Sequence, residues 1–136
     1  MPARRVRGIG AGRKTRRSLE RGGTGPAAEL NRMLGSWPRV RITPMFGRWG
    51  YFVGPRLFAC FPLRAKDTDL WIRLTPEEQK RALETRAIVP HRRMASSGWV
   101  ELSVTASREV GRAIRWLRRS YEATKAAVER DERAGC

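Results

Sequence analysis

The 136 residues carry 29 lysines and arginines against 13 carboxylates, a formal charge of +16 at pH 7. A field of that sign excludes a neutral surface and points to polyanions as partners, because it draws them in with a salt-dependent rate. The length suits one domain with a real core plus tails, and 40% hydrophobic residues with five tryptophans require that this core be folded.

Two cysteines, Cys60 in an apolar run and Cys136 at the terminus, form neither a disulfide framework nor a metal site. No cofactor or metal is implied, and a reducing, cytoplasmic setting is expected. No apolar run reaches the roughly 20 residues of a membrane span, and no apolar segment of a signal peptide follows the arginine-rich start. The expected protein is soluble, with no membrane partner. Arginine supplies 25 of the 29 cations. Its planar fork suits phosphate, although GC-rich coding produces the same bias.

Residues 1–25 combine glycines, dense positive charge and few large aliphatic side chains. Such a segment cannot bury enough surface to offset its ordering entropy, so a disordered basic tail is predicted. Arg4, Arg5, Arg7, Arg13, Lys14, Arg16 and Arg17 are its candidate phosphate contacts. The run from Gly8 to Thr15 resembles a phosphate-binding loop, but Arg13 separates Gly12 from Lys14 and no strand precedes it. The strand-to-helix frame that aims backbone amides at phosphate is therefore missing.

The folded domain is predicted over residues 26–130. A short helix should start at Pro26 and stop at Gly35, with Leu30, Met33 and Leu34 on one face. Trp37-Pro38 then turns the chain into a run of strands from Val40 to Leu74. Val40 and Ile42 alternate with Arg39 and Arg41, the period of a sheet buried on one side. Gly50 to Val53, a Gly54-Pro55 turn and the apolar Leu57 to Phe61 read as an antiparallel hairpin whose return strand is central. In the next strand Leu70, Ile72 and Leu74 point inward.

Thr75-Pro76-Glu77-Glu78 is the clearest local signal. Thr75 caps a helix, Pro76 fits its first position, and Glu78 has the spacing to reach back and complete a capping box. About ten helical residues should follow, burying Ala82 and Leu83. His91–Met94 and Trp99–Val104 are expected to pair around an Ala95–Gly98 turn. A final helix from about Arg108 places Val110, Ala113, Ile114, Leu117, Tyr121 and Val128 on one face. Arg108, Arg112, Arg115 and Arg119 fall near the opposite meridian, four guanidinium groups along about 16 Å of helix. They read either as a phosphate-contacting row or as a solvated polar face. Residues 131–136 are a short tail.

Catalytic residue types are scarce. His91 is the single histidine, flanked by Arg92 and Arg93, and it reads as a structural residue on a surface hairpin. Asp67 and Asp69 are explained by turn chemistry. The chain is not expected to be an enzyme.

Met45-Phe46-Gly47 with Gly50-Tyr51-Phe52-Val53, Leu57-Phe58-Ala59 and Leu70-Trp71-Ile72-Arg73 resemble the strand signature of the TfoX N-terminal domain. Arg48 stands where the second glycine of its MFGG-like start would sit. Thr75-Pro-Glu-Glu78, Pro90, Met94, Trp99-Val100 and Ser120-Tyr121 resemble the related MmcQ/YjbR proteins. The resemblance covers about residues 26–125. It implies an α+β fold of two layers: a single antiparallel sheet of five or six strands with helices packed on one face, in the order α-β-β-β-β-α-β-β-α. It also implies DNA binding or a part in transcription regulation.

Two functions follow as expectations. In one, nucleic acid is held through its phosphates by the tail and by Arg108, Arg112, Arg115 and Arg119, with Trp49 and Trp116 either stacking on bases or filling the core. In the other, the chain is an adaptor that uses the sheet face, with its basic surface attracting an acidic protein partner. Tyr51, Trp71 and Trp99, in outward phases of their strands, would then form an exposed patch on the sheet.

Overall fold

The computed structural model describes residues 25–135. Helix α1 (Pro26–Gly35) opens on Pro26, whose missing N–H is no loss in a first turn. Leu30 and Leu34 are fully buried as expected, but Asn31 accompanies them inward and Met33 lies at the margin, 38% exposed. Four strands follow: β1 (Val40–Met45), β2 (Arg48–Val53), β3 (Arg56–Pro62) and β4 (Asp69–Arg73). Helix α2 (Pro76–Leu83), β5 (Ile88–Pro90), a 3-10 turn at Ala95–Ser97, β6 (Trp99–Ser103) and α3 (Ser107–Ala134) complete the domain.

The six strands form one sheet in the order β1-β2-β3-β4-β6-β5, every neighbour antiparallel. The fold is α+β, and its elements follow the predicted order. Phe46 and Gly47 turn β1 into β2 with φ of 51° and 76°. Two successive positive φ values match the twist of a tight hairpin.

Helix α3 fastens the helical layer to the sheet. Val110, Ala113, Leu117, Tyr121 and Val128 are buried at the predicted spacing, and Ile114 is half-buried. The Ser120 hydroxyl donates to the carbonyl oxygens of Phe58 and Arg73, while the Tyr121 hydroxyl donates to that of Pro38 at 2.7 Å. The Tyr121 ring also packs on Trp37 and Phe58, with centroids 5.0 and 6.0 Å away. At its start the helix is capped by Glu109, whose carboxylate accepts the N–H groups of Thr105 and Ala106. Those bonds hold the Glu109 carboxyl below the usual carboxylate range.

Ala82 is buried as expected, but Leu83 is 38% exposed, and three further local expectations are corrected. The last hairpin pairs Ile88–Pro90 with β6, and His91–Met94 is a turn. His91 is buried, not a surface residue. Tyr51 and Trp99 are buried as well, while Trp71 is half-buried, so these three form no exposed aromatic patch. Trp49, Tyr51 and Val53 face the core in β2, leaving Gly50 and Phe52 on the other side. The close packing of Met45, Phe52 and Leu57 over Gly50 explains that phase: a Cβ there would lie 2.8 Å from the Met45 sulfur.

Candidate functional site

Helix α3 divides into two electrostatic halves. Arg108, Arg112 and Arg115 are exposed in its first half and form no ion pair among the described residues. Arg119 ends the row differently. Its guanidinium donates to Glu78 of α2 at 2.8 Å and lies 5.0 Å from the Trp116 ring centroid. Arg118, one position earlier, pairs with Glu122 at 3.1 Å and lies 4.9 Å from Trp37.

Carboxylates gather in the second half. Glu129 pairs with Lys125, Asp131 with Arg56 at 2.7 Å, and Glu132 with Arg39 at 2.5 Å. The bidentate contact with Arg39 holds the Glu132 carboxyl low and raises Arg39 in turn. The pairs with Arg39 and Arg56 tie the end of α3 to the starts of β1 and β3. In the first half the unpaired positive charge is Arg108, Arg112 and Arg115, beside a groove between α2 and α3 lined by Thr75, Ile114 and Arg118. Arg130 and Arg133 of the second half, also without an ion pair among the described residues, sit among the carboxylates.

The tail residues Arg4, Arg5, Arg7, Arg13, Lys14, Arg16 and Arg17 lie outside the described residues. Trp49 and Trp116 are core residues, 2% and 7% exposed. They have no face free for a base.

A second constellation lies on the opposite face of the sheet. Arg48 reaches from β2 across β3 to β4, where its guanidinium carbon sits 3.6 Å from the Trp71 ring centroid. Its Nη1 donates to the Asp69 carboxylate at 3.2 Å, and its Nη2 donates to the Asp69 and Cys60 carbonyls. The Trp71 ring meets His91 nearly at right angles, with centroids 4.4 Å apart. Register explains the meeting: Trp71 pairs with Glu101, Glu101 with Val89, and His91 follows two residues later on the same face.

His91 is fixed by the backbone. Its Nδ1 accepts the N–H groups of Arg93 and Met94, each at 3.1 Å, and its own N–H donates to the Trp99 carbonyl. A ring nitrogen that accepts twice carries no proton, so the neutral imidazole keeps its hydrogen on Nε2. Burial pushes the His91 pKa down; nearby Glu101 opposes this, and Arg48, Arg92 and Arg93 add to it.

The Nε2 of His91, the Nε1 of Trp71 and the Nε of Arg48 are buried without a hydrogen-bond partner among the described residues. All three are donors, and each donor left unmet costs about 1–3 kcal/mol. Trp71 and His91 form the floor of a cleft of about 380 Å³ whose walls are Asp69, Glu101, Arg92, Arg93 and Met94. Cys60, close behind, is a buried thiol whose pKa burial raises to about 11, which makes it a poor nucleophile. Sequence reasoning passed over this cluster because its members lie on four elements. The one visible signal was Arg48 in the place of a glycine.

A single antiparallel sheet with helices against one face, and a long last helix bonded to the strands, defines a two-layer α+β domain. Among solved structures it is similar to the Deinococcus radiodurans protein DR2400, which carries the family-model domain DUF419. The TM-score is 0.57 at 18% identity, over 71% of this chain and 76% of that one. At that identity the likeness shows the fold alone, the two-layer α+β arrangement that the resemblance read from the sequence implies. No family model matches the chain, and no curated protein sequence matches it.

Proposed function

We propose that this chain is a non-catalytic domain that binds nucleic acid through its phosphates, using the exposed first half of α3 together with the basic tail. The observation that carries the reading is the unpaired row Arg108, Arg112 and Arg115 on a protein of net charge +16. Apart from Glu109, whose carboxylate is occupied by the backbone at the cap, the helix's carboxylates lie in its second half, so an approaching polyanion meets few like charges along the row. Arg119 contributes to the field while its contact with Glu78 restrains it. Phosphate contacts of this kind position a protein without reading sequence, so the expected binding is indifferent to base order. In the cell such a domain would serve as an accessory to transcription regulation.

The test is a salt series of binding to duplex DNA, single-stranded DNA and RNA. It compares the full chain with a variant carrying Arg108→Ala, Arg112→Ala and Arg115→Ala. Each lost phosphate contact lowers the slope of log affinity against log salt by about 0.9, so the triple variant should lose roughly two to three units of slope on duplex DNA. An unchanged slope would remove α3 from the account. The adaptor reading lacks the aromatic patch on which it rested, since Tyr51 and Trp99 are buried.

A further inference from the structure

We infer that the cleft on the outer face of the sheet, floored by Trp71 and His91, binds a small oxyanion of single negative charge, a carboxylate or a phosphodiester group. This site is separate from the nucleic-acid surface on α3 and does not depend on that reading.

Donor chemistry sets the ligand class. His91 is 4% exposed, and its Nδ1 is occupied by two backbone N–H groups, so Nε2 offers a hydrogen and no lone pair. Trp71 Nε1 is a donor by nature. Both atoms are buried without a partner among the described residues, and both residues line the same cleft. Two unmet N–H donors on rings that touch and line one cleft call for acceptor oxygens, not for a cation.

The charge around the cleft sets the valence. Asp69 is engaged by Arg48 at 3.2 Å, and Glu101 faces Arg92 at 4.0 Å. Arg93, exposed on the rim, forms no ion pair among the described residues. The balance of these five groups is one positive charge, which matches a single negative charge and disfavours a dianion held against two carboxylates. The donor atoms are screened from solvent, and two of the cleft's lining residues, Arg93 and Met94, are exposed side chains free to adjust as an oxygen enters.

The pocket is rigid where recognition needs rigidity. Arg48 holds the Trp71 ring on one flank, and the turn amides hold the His91 ring. A ligand would therefore meet donors already in place.

The experiment is nitrogen-15 NMR of the full chain titrated with sodium acetate, sodium dimethyl phosphate and sodium chloride at matched ionic strength. His91 is the only histidine, so its ring nitrogens give one unambiguous set of signals. Loss of one indole signal in Trp71→Phe assigns Trp71. Saturable shifts of the Trp71 indole N–H and of His91 Nε2 with acetate or dimethyl phosphate, but not with chloride, are the expected result. The tighter of the two anions identifies the ligand group. Arg93→Gln, a change at an exposed position that leaves the fold intact, should weaken the binding about threefold. Linear drift identical to that in chloride, or saturation unaltered in Arg93→Gln, would overturn the inference. The helix variant described above should leave these shifts unchanged, so the two sites succeed or fail separately.

Discussion

Glu78 is bonded to Arg119 across the gap between α2 and α3, carboxylate to guanidinium at 2.8 Å. The spacing Thr75 to Glu78 predicts a reciprocal capping box, and half of it is present: Thr75 Oγ1 accepts the Glu78 N–H at 3.2 Å. The Glu78 side chain goes to the arginine instead. A charged partner on the neighbouring helix outcompetes the helix's own backbone N–H, because a charge-assisted bond is about twice as strong as a neutral one. The same contact restrains the fourth guanidinium of the α3 row.

Replacing Glu78 with Gln should therefore release Arg119 toward a bound polyanion. The expected outcome is a steeper salt dependence of DNA binding, by about 0.9 in the logarithmic slope, with tighter binding at low salt. The stability change should be under about 1 kcal/mol, since both side chains are partly exposed. A salt series on the variant beside a urea melt checks both numbers. A slope equal to that of the parent would show that Arg119 already contacts phosphate, or never does.

Gly98 closes the 3-10 turn before β6 with φ of 96°, and a Cβ built there would lie 2.2 Å from the Leu74 carbonyl oxygen. The Gly98 carbonyl accepts the Leu74 N–H at 2.9 Å in the same embrace. Gly98→Ala thus combines a forbidden approach to backbone with an unfavourable φ. It should destabilise the domain by more than about 2 kcal/mol. Chemical denaturation reads this directly, and a loss under half that size would mean the turn can move away from β4.

Phe46 presents the reverse case. It occupies the first position of the β1–β2 turn at φ 51° and is 95% exposed, so its ring gains nothing from burial while its backbone is strained. Asn adopts that conformation far more easily. Phe46→Asn should raise stability by about 1 kcal/mol, seen as a higher denaturant midpoint with an unchanged slope. An aromatic ring kept at such a place invites a parallel measurement of DNA affinity. A fall there, alongside the gain in stability, would give Phe46 a binding role.

The legible parts of this chain are those where one local rule dominates. The alternation of Leu70 and Ile72 and the 3.6-residue stripe from Val110 to Val128 placed β4 and α3 without ambiguity, as did Thr75-Pro76 for α2. Tyr51 was misplaced because both its neighbours are also compatible with a strand, and its buried hydroxyl is satisfied only by Asn31, twenty residues away, at 2.7 Å. No local pattern announces that pair. His91 failed for the same reason. Flanking arginines suggest a surface position, yet those side chains point outward while the imidazole is captured by two backbone N–H groups and by Trp71. The arginine row was visible as a helical period. Its division into free and tethered members was not, because the tether comes from another helix.

The buried imidazole has a consequence for stability against pH. The folded His91 pKa lies below its ordinary value of 6.5, chiefly because of burial; Glu101 opposes the shift, and Arg48, Arg92 and Arg93 add to it. Protonation would also place a hydrogen on Nδ1, facing the two amides that now donate to it. The unfolded chain therefore takes up a proton near pH 6.5 that the folded chain refuses, and stability rises with pH wherever the unfolded state binds more protons. His91 thus contributes nothing to pH dependence above about 7. As pH falls through 6.5 its contribution turns against the fold, and the loss levels off only at the lower folded pKa. His91→Gln, which keeps an oxygen able to accept the same amides, should flatten the stability curve between about pH 7 and pH 5 relative to the parent. Urea melts across that range measure the difference directly, and the carboxylates common to both proteins cancel. Parallel curves would mean that His91 charges as readily in the folded protein as in the unfolded one.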